Sequence, residues 1–255
     1  MPDEALCYMT ATEALARFAD KTLSPVELMQ AVIARAEAVE PRVNALTYTH
    51  FDEALTLARA AEGRYMRGTP AGPLDGLALA VKDEGAIKGK PLSNGSLLLA
   101  GMIPDYTSPV NQRLLDSGAI VHARTATPEF SCAGYTWSRV WGVTRNPWNP
   151  DFTPGGSSGG AGAALAAGSC TLASGSDIGG SIRIPASASG VVGLKPAYGR
   201  VPEEPPYNLD IFCHQGPMAR SVGDAALMFS VMAGRHPLDI ARQRDTPDLP
   251  RRPGP

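Results

Sequence analysis

No stretch of roughly 18 consecutive apolar residues occurs in the 255-residue chain, so nothing in it reads as a membrane-spanning helix. The start, from Met1 to Glu4, is acidic and has no apolar segment of the kind a secretory leader needs. Cysteine is scarce and scattered: Cys7, Cys132, Cys170 and Cys213 form no CxxC pair, and no histidine stands at metal-ligand spacing from them. That excludes a disulfide framework and a zinc site, and no metal or cofactor is called for. Charge of one sign is lacking too. The 23 basic and 25 acidic residues nearly cancel, and no Lys/Arg cluster interleaved with aromatics tracks a phosphate backbone, so nucleic acid is not expected as a direct partner. Reduced thiols without a leader or a span lead to the expectation of a cytoplasmic protein.

What is present is globular composition, 44% apolar and 19% charged, enough to bury a core. Residues 1–70 read as a helical scaffold of the same domain as residues 71–236. Ser24 to Glu27 supplies a capping box with Pro25 at the first helical position, and Leu28, Val32 and Ala36 then recur at helical spacing. Phe51 to Arg67 continues in that style. A turn cluster at Gly72 to Gly76 ends the helical part, and Leu77 to Val81 is a short apolar run that fits a buried strand delivering Lys82 and Asp83 at its end. A helix over Pro109 to Ser117 and a strand over Ala119 to His122 come next. Alternating helices and buried strands predict an α/β layer fold. Residues 237–255, rich in proline and mixed charge, read as an irregular or disordered tail.

The composition shifts sharply at Thr153 to Arg200, where 12 of the 27 glycines and eight serines fall in 48 residues. Backbone approach must matter there. Gly159 to Gly168 reads as a closely packed helix, with short strands at Thr171 to Ser174 and Val191 to Leu194. Two serines stand among glycines, Ser157 in GGSSGG (Gly155 to Gly160) and Ser181 after Gly179 and Gly180. A nucleophilic serine needs a base and N–H donors for the oxyanion it creates, and glycines leave such donors bare. The segment has neither His nor Glu, so the base comes from elsewhere. Lys82, leaving an apolar strand, could be kept neutral by burial and act as that base. Plainer readings stand beside these: Ser181 as a helix cap, and Lys82 as a solvated strand-end lysine paired with Asp83. GGSSG also satisfies the GxSxG elbow, with Ser157 as nucleophile and Asp210 and His214 as its partners.

On these residues the chain resembles the amidase signature hydrolases. The likeness runs through GLALAVKD (Gly76 to Asp83), GGSSGG, DIGGSIRIPA (Asp177 to Ala186), GVVGLKP (Gly190 to Pro196) and GPMARSV (Gly216 to Val222), and spans about residues 70 to 235. The resemblance implies a mixed β-sheet core flanked by helices, with residues 71–236 forming an incomplete amidase signature core. It also implies a Ser-cisSer-Lys triad: Ser181 as nucleophile, Ser157 as relay after a cis peptide, and Lys82 as base. The N–H groups of Ile178, Gly179, Gly180 and Ser181 are then the oxyanion hole, a small-molecule amide the substrate, and an acyl-enzyme the intermediate. Arg183 and Asp177 read as a pair fixing the nucleophile loop, and Arg145 to Trp148 as its support.

The sequence departs from that family in places. Ala126 stands where many members have Asn and Phe152 where Arg is common. The chain ends at about half the usual length, which suggests truncation, with apolar edges left open and the substrate site open to water. A homo-oligomer or a completing partner chain is one way such a chain could be completed. Two alternatives stay open: a glutaminase-type subunit of a tRNA-dependent amidotransferase, although Ile184 follows Arg183 where those subunits usually carry Gln, and an inactive truncated fragment.

Overall fold

The computed structural model describes residues 3–241. Five helical or extended elements come first: α1 (Glu4–Tyr8), α2 (Ala11–Ala19), α3 (Pro25–Val43), β1 (Leu46–Thr49) and α4 (Phe51–Arg67). Helix α3 starts where its sequence says it should. Ser24 Oγ accepts from Val26 N–H at 3.0 Å, Glu27 takes the Ser24 N–H at 2.8 Å, and Asn44 in the left-handed region ends the helix. Leu28, Val32 and Ala36 are fully buried, as the spacing predicts. The helical reading of the first seventy residues omits one element: β1 pairs antiparallel with the later strand β3 (Ile120–Thr125) and so belongs to the sheet.

The six-stranded sheet runs β1-β3-β2-β6-β8-β7, where β2 is Ala78–Lys82, β6 Leu172–Asp177, β7 Val192–Gly193 and β8 His214–Ala219. Strands β3, β2 and β6 are parallel, and β8 and β7 add antiparallel partners. The sheet is therefore mixed, with its parallel centre buried on both faces. Leu79 and Val81 pack with α3, α4, α5 (Pro109–Asp116) and α8 (Val222–Met232), whereas Ala80 packs with α6 (Gly159–Ala167) and α7 (Arg183–Ser189). Lys82, two residues beyond Ala80, emerges on the α6 side. A separate hairpin of β4 (Trp137–Ser138) and β5 (Gly142–Val143) lies outside the sheet.

Helix α6 lies close against its neighbours because it consists of Gly, Ala and one Leu. A Cβ on Gly160 would sit 2.3 Å from Ala126 N and 2.7 Å from Ala45 O. The strand read at Thr171 to Ser174 extends to Asp177, because Gly175 pairs with Gly216 of β8, where a Cβ would lie 2.1 Å from Leu194 O. Of the segment read as an irregular tail, Pro237 to Ala241 forms a turn that buries Asp239, whose carboxylate accepts the Glu203 N–H at 3.0 Å. The remainder lies outside the described residues. No helix among the described residues is long and apolar enough to cross a membrane.

Candidate active site

Strand β2 delivers Lys82 into a dry position, its side chain 2% exposed. The amine has three partners: Ser157 Oγ at 2.8 Å, Ser176 Oγ of β6 at 2.8 Å, and the Glu84 carboxylate at 3.2 Å. The reading of Lys82 as a solvated lysine paired with Asp83 does not hold. Asp83 turns the other way, onto the N–H and hydroxyl of Ser93. Burial lowers the Lys82 pKa from the usual lysine value, while the Glu84 charge and hydrogen bond oppose the fall. Burial pushes the Glu84 carboxyl up, but Lys82 and hydrogen bonds from Ser131 and Ser176 outweigh it and hold the group below its ordinary value.

Ser157 is itself buried, at the turn before α6, and the Gly156–Ser157 peptide is cis. Thr136 clamps this turn from the β4 side. Its hydroxyl donates to Gly155 O at 2.9 Å and accepts from Gly159 N–H at 3.1 Å. A Cβ on Gly156 would lie within 2.7 Å of three Tyr135 backbone atoms, so the approach to Ser157 is packed backbone against backbone. No strand leads into the turn, as a GxSxG elbow requires. The partners of that alternative are engaged elsewhere: Asp210 accepts from Phe212 and Cys213 N–H, and His214 Nε2 lies 3.1 Å from Ile211 O.

Ser181 sits on the loop between β6 and α7, half-buried, with its carbonyl accepting the Ser158 N–H at 3.1 Å. It does not cap α7, which starts at Arg183 behind Ile182 with no side-chain cap. Buried Asp177 organises the loop. Its carboxylate accepts from Gly180, Ile182 and Arg183 N–H and forms two bonds, both 2.9 Å, with the Arg183 guanidinium. Burial would raise its pKa, but Arg183 and the three N–H groups hold it at about 2. The Gly180 N–H, one of the expected oxyanion donors, is committed to Asp177 at 2.7 Å, which leaves Ile178, Gly179 and Ser181 N–H as the candidates. Asn146 Nδ2 donates to Ala188 O and Trp148 Nε1 to Ser189 O, both at 2.8 Å, so the Arg145 to Trp148 loop supports α7.

Ser157, Ser176, Ser181, Ile178 and Gly179 share one cavity of about 540 Å³. Its lining also includes Glu203, Glu204, Tyr207 and Cys213. Burial pushes Glu203 up to about 8, against hydrogen bonds from the Gln215 backbone and side chain, and raises Cys213 to about 12. Glu84, Ser176, Thr136 and Glu203 were not singled out by the sequence. Each meets the site through tertiary contact, and only the position of Glu84, two residues after the lysine, carried a signal. Among the described residues no group of three or more His, Cys, Asp or Glu side chains is placed to hold a metal ion.

The chain belongs to the amidase family, whose model matches residues 27–251. It is 42% identical over 248 residues to a glutamyl-tRNA(Gln) amidotransferase subunit from Chloroflexus aurantiacus, an alignment that covers 95% of this chain and 50% of the relative. It is 41% identical over 245 residues to the indoleacetamide hydrolase of Bradyrhizobium diazoefficiens, covering 93% and 47%. Among solved structures it is similar to a bacterial aryl acylamidase of the amidase signature family, with a TM-score of 0.89 and 35% identity over 94% of this chain and 51% of the other. The chain thus spans about half the length of the curated relatives it matches.

Proposed function

We propose that this chain carries the chemistry of a hydrolytic amidase, cleaving a carboxylic acid amide to acid and amine or ammonia through an acyl-enzyme on Ser181. The observation that carries the reading is the buried Lys82 amine 2.8 Å from the Ser157 hydroxyl, with Ser181 in the same cavity. A lysine whose charged form is disfavoured by burial can accept a proton near neutral pH. Lys82 takes the proton of Ser157, Ser157 takes that of Ser181, and Ser181 Oγ bonds to the amide carbonyl carbon. The oxyanion is met by backbone N–H groups of Ile178, Gly179 and Ser181. The proton returns to the departing nitrogen as the C–N bond breaks, and water then releases the acid by the same relay.

The glutaminase-type reading is favoured by the 42% identity to the amidotransferase protein. Ile184, at the cavity wall and 43% exposed, stands where the resemblance to those subunits calls for Gln, and this favours the simple amidase. Substrate class and any completing partner or second copy belong to this proposal, since the matched relatives are about twice as long. Four free cysteines among the described residues are in keeping with a cytoplasmic protein. The test is release of ammonia or amine from a panel of simple amides. Turnover that disappears in Ser181→Ala supports the reading, and turnover that survives in that variant contradicts it.

A further inference from the structure

Glu84 is held with unusual care for a residue in a turn after a strand. The turn folds back on β2, with Glu84 N–H 2.7 Å and Gly85 N–H 3.2 Å from Lys82 O, and the buried Arg124 guanidinium pins the Gly85 carbonyl at 2.7 Å. Ser131 donates to Glu84 Oε2 at 2.5 Å. Ser131 is itself tied to Thr127 at 3.0 Å and Asn94 at 3.3 Å, and it sits with Phe130 in the left-handed region that non-glycine residues rarely adopt. The whole arrangement brings one carboxylate to the lysine and keeps it there.

The hydrogens on the lysine nitrogen define what the carboxylate does. An ammonium has three N–H donors, and the nitrogen has three acceptors around it: Ser157, Ser176 and Glu84. A neutral amine has two donors and one lone pair. If Ser176 and Glu84 accept the two, the lone pair faces the Ser157 hydroxyl. We propose that Glu84 is the positioning residue of Lys82, orienting its lone pair toward Ser157 and compensating the ammonium formed when the relay proton arrives. This rests on the amidase reading above. Glu84 is neither protonated nor bonded to substrate in the cycle. The proton passes from Ser181 to Ser157 to Lys82, stays on nitrogen beside a carboxylate, and returns by the same route to the leaving amine.

The groups that face this pair are few. Asp177 acts on Lys82 through charge and is tied to Arg183, whereas the Cys213 thiol, pushed up to about 12, is uncharged near neutral pH; Glu203, Tyr207 and Cys213 line the same cavity as Glu84. Among the described residues none of them lies within salt-bridge distance of Lys82, which leaves Glu84 as the carboxylate in direct contact with its amine.

The chain has only five lysines, so the ¹³Cε resonance of Lys82 can be assigned in lysine-labelled protein and titrated directly. An opposite charge at this range moves a pKa by about one unit or more, so Glu84→Gln lowers the Lys82 midpoint by at least that much. In the same variant the acid limb of kcat on a neutral amide moves to lower pH while KM changes little. Glu84→Asp keeps the charge on a shorter arm and gives an intermediate midpoint. A Lys82 midpoint that is the same in wild type and both variants overturns the proposal, as does a loss of kcat with the limb unmoved. The titration reads Lys82 whether or not the protein turns over. Absence of turnover therefore counts against the amidase reading, and an unmoved midpoint counts against Glu84.

Discussion

Helix α3 and the segment from α6 to α7 are built on opposite rules. In α3, Leu28, Met29, Val32 and Ile33 fill the interior with side chains, and a short hydrogen-bonded cap fixes the start. In the α6–α7 segment the interior is largely glycine, alanine and serine, and backbone meets backbone: Gly160 against Ala126, Gly162 against Pro185 and, at the turn into α6, Gly156 against Tyr135. Side-chain packing tolerates repacking, because neighbours can shift rotamers. Backbone packing cannot give in that way, and it is what brings two hydroxyls and several N–H groups to one cavity. The first region supplies stability and the second supplies geometry.

This difference can be broken from either side. Leu28→Ala, which empties a fully buried site in α3, lowers unfolding free energy by about 3 kcal/mol in urea denaturation. Reactivity of Ser181 in the fraction that remains folded stays at the wild-type level. Gly160→Ala costs about 2 kcal/mol, since the added methyl meets the Ala126 backbone, and it also impairs the site by pushing α6 and Ser157 outward. Gly179→Ala is its control in the same segment. Nothing lies within 4 Å of the added atom and its φ is not in the left-handed region, so stability stays within about 0.5 kcal/mol of wild type.

The two regions also differ in pH response. Asp177 in the site loop has its pKa lowered to about 2 from 3.8, so its stabilisation is in place above pH 3.8 and is lost as pH falls through 2. Glu40 in α3 behaves in the reverse sense. Burial raises it to about 7 from 4.5, against N–H bonds from Leu46 and Ala45, so the native state holds its proton more tightly and stability declines as pH rises from 4.5 to 7. Asp177→Asn therefore flattens the acid arm of a melting-temperature profile and Glu40→Gln the neutral one.

The same contrast explains what could be read from the chain. The capping box, the burial of Leu28, Val32 and Ala36, and the strand bearing Lys82 are local patterns of side chains, and they were legible. Strand β1 was not, because four residues with half-exposed Thr47 and Tyr48 become a strand only when β3 lies beside them. Strand β6 runs three residues past its apolar part for the same reason, since β8 pairs with Gly175, Ser176 and Asp177. The serines and the lysine were singled out largely through their family motifs, and the structure brings Lys82 to Ser157 with Ser181 in the same cavity, whereas Glu84 looks in sequence like one more charge in a turn. Its function depends on Ser131, forty-seven residues on, holding it against the amine.

The most direct test of the account is the position of a covalent adduct. After reaction with a fluorophosphonate, peptide mapping by mass spectrometry should place the phosphonyl group on Ser181, with labelling abolished in Ser181→Ala and strongly slowed in Lys82→Ala. An adduct on Ser157, or labelling that persists in Ser181→Ala, would contradict it.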